Sequence, residues 1–133
     1  MPAVVVDTHA RLWYVYRSPR LSYRALAAID EALSSGDGAY VSTISLVEMT
    51  YLVEKGTQPP EALRRIEAKL EDEAAGMKEV PVDLRISRAL PRIPRASVPD
   101  MPDRIIAATA LHLGLPLVTR DQRLQGTLVR TIW

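Results

Sequence analysis

The chain has 133 residues, enough to bury roughly two thirds of its unfolded surface, and we expect a single domain over residues 1–133. It has no cysteine and two histidines, so disulfides and thiolate metal sites are excluded and oxygen would dominate any metal site. The net charge of +1 does not by itself indicate a nucleic-acid binder. With no apolar run of membrane-spanning length and no signal-like start, we expect a soluble cytoplasmic protein.

Strands and helices alternate through the first half of the chain. Apolar β-branched residues predict a buried strand before Asp7, and periodic apolar residues predict helices on either side of a second strand. The helix after the second strand can be capped by Ser42 or Thr43 and reaches Lys55 and Gly56. The predicted elements are a strand over 3–6, a helix ending at 18–19, a helix over 21–33, a strand over 39–42 and a helix to 55.

The second half repeats this alternation. We predict a surface helix over 61–75, a strand over 77–82, a helix over 83–90, a proline-rich loop over 91–99, a helix over 103–113, and strands over 115–119 and 128–133. Alternating strands and helices favour right-handed crossovers and a mostly parallel sheet. The expected fold class is therefore α/β, a three-layer α/β/α arrangement around a central parallel sheet of about five strands.

Four acidic residues stand out against apolar surroundings. Asp7 and Asp121 follow predicted strands, so both belong to the carboxyl edge of the sheet, where ligands bind in this fold class. Glu48 is the one ionisable residue between Ser42 and Val53, and Asp103 opens an apolar helix. An acid retained among apolar residues is usually paired, protonated or bound to metal.

Carboxylates gathered in one pocket repel one another, which destabilises the fold unless a cation offsets the charge. Mg²⁺ or Mn²⁺ prefers such oxygen ligands and also contacts substrate phosphates. Hydrolysis of a phosphodiester bond is the reaction that such a site predicts.

Each acid also has a structural explanation. Asp7 and Asp121 can cap the helices that follow them, and Asp100 and Asp103 have the spacing of a capping pair. Glu48 can pair with an arginine such as Arg104. These explanations leave unexplained why the acids should converge on one edge of the sheet.

Several other residues near the predicted pocket are secondary candidates, namely Thr8, Asp100, Arg104 and Thr119. Thr8 and Thr119 flank the pocket and can orient water or phosphate, although such hydroxyls more often bond to the backbone. His9 and His112 have ordinary helical explanations. Four arginines recur at helical intervals and can contact phosphates, although a solvated face is the commoner explanation: Arg85, Arg88, Arg92 and Arg95.

The segments VVVDTHARLWYVY, VSTISLVEMTYL and PDMPDRIIAATALHLGLPLVTRD, with the closing TIW, resemble the PIN-domain ribonucleases, specifically the toxins of VapBC-type toxin–antitoxin pairs. The resemblance covers essentially the whole chain. It implies a five-stranded parallel sheet and Mg²⁺- or Mn²⁺-dependent RNA cleavage. The family's acidic positions correspond to Asp7, Glu48, Asp103 and Asp121.

The resemblance also implies partners. Such toxins are usually homodimers whose antitoxin lays a segment across the active-site groove, often with a basic residue among the acids. The apolar stripe of Leu12, Trp13 and Tyr16 is similar to part of that groove. The chain departs from the family pattern at Met101, where a proline is frequent, and at Pro102, where an aromatic residue is common.

Competing functions are distinguished by residues that they require. A phosphoacceptor receiver domain needs a lysine after a late strand, and Lys55, Lys69 and Lys78 are all misplaced for it. A haloacid-type phosphatase needs an aspartate where His9 stands. The alternative that stays open is a PIN-like binding module with weak catalysis, which acts through its antitoxin or another protein; metal binding would separate it from the nuclease.

Overall fold

The computed structural model describes residues 2–133, which form a five-stranded, all-parallel sheet in the order β3-β2-β1-β4-β5. The strands are β1 (Val4–Val6), β2 (Ala39–Ser42), β3 (Met77–Val80), β4 (Leu117–Val118) and β5 (Thr131–Ile132). Val4 pairs with Ala39 of β2, and Val5 pairs with Leu117 of β4, so β1 is the central strand. Its complete burial explains its unbroken apolar sequence.

Within residues 2–133, six α-helices connect or flank these strands. They are α1 (Thr8–Val15), α2 (Tyr23–Ser34), α3 (Thr43–Glu54), α4 (Pro60–Glu71), α5 (Leu84–Ala89) and α6 (Met101–Leu113). Short 3₁₀ turns occur at Glu73–Ala75, Leu90–Arg92 and Gln122–Leu124. Across residues 2–133, no helix combines the length and apolar character that a membrane span requires.

The two faces of the sheet build separate apolar cores. Val5 and Leu117 face α5 and α6, where Ile86 and Ile106 are buried. Val4, Val6 and Val118 face the opposite side and pack with α1 and α2. This arrangement is the predicted three-layer α/β/α fold, because alternate side chains of a strand point to opposite faces.

The predicted elements all form, but several bounds differ. The predicted 61–75 helix ends at Glu71, because Asp72 leaves the helical conformation and its carboxylate caps the following 3₁₀ turn. Helix α6 starts at Met101, two residues earlier than predicted, because Asp100 caps it and Pro102 fits its first turn. The last two strands are only two residues long each.

Strand order fixes the location of a cleft. From β1 the chain moves to β2 and β3 on one side, and β4 and β5 add on the other side. The order therefore reverses between β1 and β4, the place where ligands bind in open parallel sheets. Asp7 leaves β1 and Asp121 follows β4 at this cleft.

Candidate active site

Asp7 is both a helix cap and a partly buried acid. Its Oδ1 accepts a 2.8 Å hydrogen bond from the backbone N–H of Ala10, which caps α1. Burial raises the pKa of the Asp7 carboxyl, and a hydrogen bond from Thr119 counteracts part of that rise. The negative charge of Glu48 raises it further. Asp7 therefore caps α1 and also places a carboxyl group beside Thr119 and Glu48.

Glu48 is held by hydroxyl groups. The Thr8 hydroxyl donates a 2.6 Å hydrogen bond to its Oε1, and the Ser45 hydroxyl lies 3.0 Å from Thr8 Oγ1. Arg104, the partner considered for a structural ion pair, instead donates from Nε to the carbonyl of Ile93 at 2.9 Å. The carboxylate of Glu48 is therefore not paired with Arg104.

Asp100 and Asp103 bring two more carboxylates from the start of α6. Asp100 caps the helix, because its Oδ2 accepts from the backbone N–H of Asp103 at 3.3 Å. Oxygens of Glu48, Asp100 and Asp103 all lie within 4.8 Å of one another. Burial and the adjacent charge of Asp100 together raise the pKa of Asp103 to about 6. This cluster could hold a metal ion.

Asp121 is paired with an arginine two residues later in the chain. Its Oδ2 accepts from Nη2 of Arg123 at 2.6 Å, and its Oδ1 accepts from Nε at 2.9 Å. The same Nη2 donates to Oδ2 of Asp103 at 2.7 Å. The hydrogen bonds from Arg123 lower the pKa of Asp121. One guanidinium group thereby joins carboxylates that come from two distant segments.

Three of these acids, Asp7, Asp103 and Asp121, line a pocket of about 240 Å³ at the carboxyl edge of the sheet. Its lining consists of Asp7, His9, Trp13, Asp103, Arg120, Asp121 and Arg123. The guanidinium carbon of Arg120 lies 4.9 Å from the centroid of the Trp13 ring. The pocket thus combines acidic side chains with an arginine, Arg120, that stacks on the Trp13 ring. Hard divalent cations suit such oxygens, and a polyanion suits the arginines.

Sequence comparison identifies the family. A sequence model of the PIN domain matches residues 4–127, nearly the whole chain. The chain belongs to the PIN domain family. The curated protein Ribonuclease VapC22 of Mycobacterium tuberculosis is 30% identical to this PIN domain over 126 residues, which cover 95% of the chain and 92% of the relative.

Solved structures share the fold of this PIN domain. VapBC2 from Rickettsia felis, bound to a DNA fragment from its promoter, superposes with a TM-score of 0.69 at 13% identity, over 97% of this chain and 96% of that chain. VapBC-5 from Mycobacterium tuberculosis, a member of the VapBC family of toxin–antitoxin systems, gives a TM-score of 0.57 at 23% identity, over 98% of both chains. Both confirm the PIN-like α/β/α architecture.

The apolar stripe predicted for an antitoxin groove is divided in the structure. Leu12 is 4% exposed and packs with Met49 and Ile66, so it belongs to the interior of the PIN domain and does not line an open groove. Trp13 is also buried, and it contacts the acidic pocket. Tyr16 alone of the three is exposed, with Arg65 against its ring. Leu12 is buried because α1 turns it toward α3 and α4, and the groove role of the stripe stays a prediction.

The secondary residues fall in different places. Thr8 and Thr119 are buried at the site, and Thr119 Oγ1 also accepts from the backbone N–H of Asp121 at 3.0 Å. His9 lines the pocket beside Trp13, whereas His112 is exposed at the far end of α6. All four arginines of the 85–95 region are exposed, in agreement with a solvated face.

The sequence pattern did not single out Arg120 and Arg123, and it indicated Asp100 as a helix cap and only a secondary site residue. Arg123 follows Asp121 by two residues, and an aspartate at the start of a tight turn often accepts from the backbone N–H two residues on, as Asp121 does from Arg123. That spacing was a usable signal. The stacking of Arg120 on Trp13 joins residues 107 positions apart and left no local trace.

Proposed function

We propose that this PIN domain is an endoribonuclease that hydrolyses RNA phosphodiester bonds with Mg²⁺ or Mn²⁺, and that it is the toxin of a VapBC-type toxin–antitoxin pair. The observation that carries the proposal is the meeting of carboxylates from four separate segments at the switch point of the sheet. The relationship to Ribonuclease VapC22 supports RNA as the substrate class.

Asp7, Glu48, Asp103 and Asp121 are the proposed metal-binding and catalytic residues, with Asp100 as an added candidate. The donor set fits a hard divalent ion, because it consists of carboxylate oxygens and because burial, together with neighbouring carboxylates, raises the pKa values of Asp7 and Asp103. When bound, Mg²⁺ or Mn²⁺ would lower the pKa of a water molecule and polarise the phosphate.

The protein's own side chains have further roles in this proposal. Thr8 orients the carboxylate of Glu48, and Thr119 orients Asp7 and the Asp121 backbone. Arg120, fixed against Trp13, is placed to contact a substrate phosphate beside the acids. Arginine suits this contact because its planar fork matches phosphate oxygens.

Cleavage assays with matched variants test the nuclease. Asp7→Asn is isosteric and retains an oxygen that can accept from Ala10, so folding should survive while RNA cleavage in Mg²⁺ or Mn²⁺ is lost and antitoxin binding persists. Glu67→Gln removes one negative charge from the exposed surface of α4 and serves as the control. Wild-type rates in Asp7→Asn would refute the mechanism and favour the alternative binding module.

A homodimer and an antitoxin complex complete the proposal. Helix α3 is apolar on most sides, and its outer residues Val47 and Tyr51 are 50% and 60% exposed, which suits burial by a second copy of the chain. Val47→Glu should convert a dimer to a monomer in analytical ultracentrifugation. A dimer unaffected by that change would exclude α3 from the interface. Copurification with the product of an adjacent small gene would test the antitoxin.

A further inference from the structure

Arg123 donates hydrogen bonds to two carboxylates, although its side chain is 44% exposed. It donates from Nε and Nη2 to both oxygens of Asp121, at distances from 2.6 to 3.1 Å, and from Nη2 to Asp103 at 2.7 Å. Such charge-assisted, bidentate contacts are the strong class of hydrogen bond. The guanidinium therefore neutralises one edge of the acidic pocket.

The oxygens that Arg123 engages are ones that the proposed metal ion needs. Asp103 belongs to the carboxylate cluster with Glu48 and Asp100, and Asp121 faces the same pocket. A carboxylate that donates its lone pairs to a divalent ion loses acceptor capacity for the guanidinium. Two positive charges that share the same carboxylates also repel each other. The ion and Arg123 in its present position are therefore competitors.

Resting on the proposed function, we propose that Arg123 is a built-in counter-ion of the acidic site, which competes with the divalent ion and leaves Asp103 when that ion binds. It is a positioning residue, because it holds Asp103 and Asp121 together in the metal-free protein. Its partial exposure gives the guanidinium a path to solvent, and its side chain needs only to swing away from α6.

Mn²⁺ affinity measured by isothermal titration calorimetry tests the competition. Arg123→Met keeps the length of the side chain and removes its donors, so it should bind Mn²⁺ about five- to tenfold more tightly than the wild type. Arg120→Met removes the same charge from the same pocket, where Arg120 makes no ion pair among residues 2–133, and should change affinity less than about twofold. Unchanged or weaker binding by Arg123→Met, or equal tightening by Arg120→Met, would overturn the proposal.

Displacement can also be observed directly by ¹⁵N NMR of the arginine Nε–Hε groups, with the Arg123 signal assigned from Arg123→Met. Addition of Mg²⁺ should shift that signal and accelerate its exchange with water. A signal that stays protected at saturating Mg²⁺ would overturn the proposal.

Failure of this inference is distinct from failure of the proposed function. A wild type that binds Mn²⁺ and cleaves RNA, with Arg123→Met unchanged in affinity, would remove only the counter-ion role. If neither the wild type nor Arg123→Met binds Mn²⁺, both the proposed metal site and the counter-ion role are refuted. Circular dichroism and thermal melts establish that both variants are folded, and Arg123→Gln provides a second substitution of the same kind.

Discussion

Thr8 and Glu48 are joined by a 2.6 Å hydrogen bond that links the first turn of α1 to the middle of α3. The residues are 40 positions apart, and Thr8 is buried. Because α1 follows β1 directly, this contact ties a carboxylate of the candidate site, on a helix, to the central strand of the sheet.

Loss of this hydroxyl should impair the site. Thr8→Val preserves shape but leaves Glu48 without its donor, and a hydrogen bond to a charged group contributes about 1.5–3 kcal/mol. We expect RNA cleavage to fall by at least about tenfold and the free energy of unfolding to fall by about 1.5–3 kcal/mol. Single-turnover rates and urea unfolding measure these effects. Thr8→Ser restores the hydroxyl and should recover most of the activity; equal loss in both variants would contradict the role of the hydrogen bond.

Stability of the metal-free protein should depend on the ionisation of Asp103. Its pKa is raised from 3.8 to about 6, so between these values the folded state binds more protons than the unfolded state. Stability therefore decreases as pH rises from about 4 to about 6. Asp121, whose pKa is lowered, acts in the opposite direction, so the comparison that isolates Asp103 is wild type minus Asp103→Asn. Denaturant unfolding in EDTA should show the wild type losing stability relative to Asp103→Asn as the pH rises from about 4 to about 6. A stability difference that does not change with pH would contradict the raised pKa of Asp103.

Divalent ions should stabilise the fold. A ligand that binds only the native state at a hundred times its dissociation constant adds about 2.7 kcal/mol. Thermal unfolding with increasing Mn²⁺ should show a corresponding rise in Tm, which Asp103→Asn should largely remove and Glu67→Gln should retain. A wild-type Tm that does not change with Mn²⁺ concentration would argue against a metal-binding site in the folded protein.

Arg120 should affect substrate binding more than chemistry. Its guanidinium lies on Trp13 at the edge of the acidic pocket. Arg120→Met should raise KM for RNA several-fold with little change in kcat, and should reduce the slope of log affinity against log salt by about one. Arg24→Met, an exposed arginine on α2, is the control for net charge. A drop in kcat with KM unchanged would place Arg120 in the chemical step instead.

A buried cation offers a test of the fold itself. Arg11 is 1% exposed, and none of its three guanidinium nitrogens has a hydrogen-bond partner among residues 2–133. Burial lowers the pKa of Arg11 to about 9, partly opposed by the charge of Glu79. Arg11→Met should therefore increase the free energy of unfolding by about 1–3 kcal/mol, as when buried ionic groups are replaced by apolar ones of similar volume. A less stable Arg11→Met, measured in urea beside Arg24→Met, would mean that the guanidinium has a stabilising partner.

The chain itself determined the layers of the fold and the placement of two acids. Apolar runs alternating with helical periods dictate a parallel sheet, and parallel strands bring their carboxyl ends to one edge. Asp7 and Asp121 could thus be assigned to the same edge from their positions alone. Glu48 stood out because a carboxylate within an apolar helix must have a partner.

Only the tertiary structure decided how the charges are paired. The contacts of Arg123 with Asp103, of Thr8 with Glu48 and of Arg120 with Trp13 depend on where the crossovers set each helix against the sheet. The burial of Leu12 and Arg11 likewise follows from which side of α1 faces its neighbours. Local patterns encode which residues form strands and helices. Tertiary packing decides whether an arginine side chain lies close enough to the acids to neutralise them.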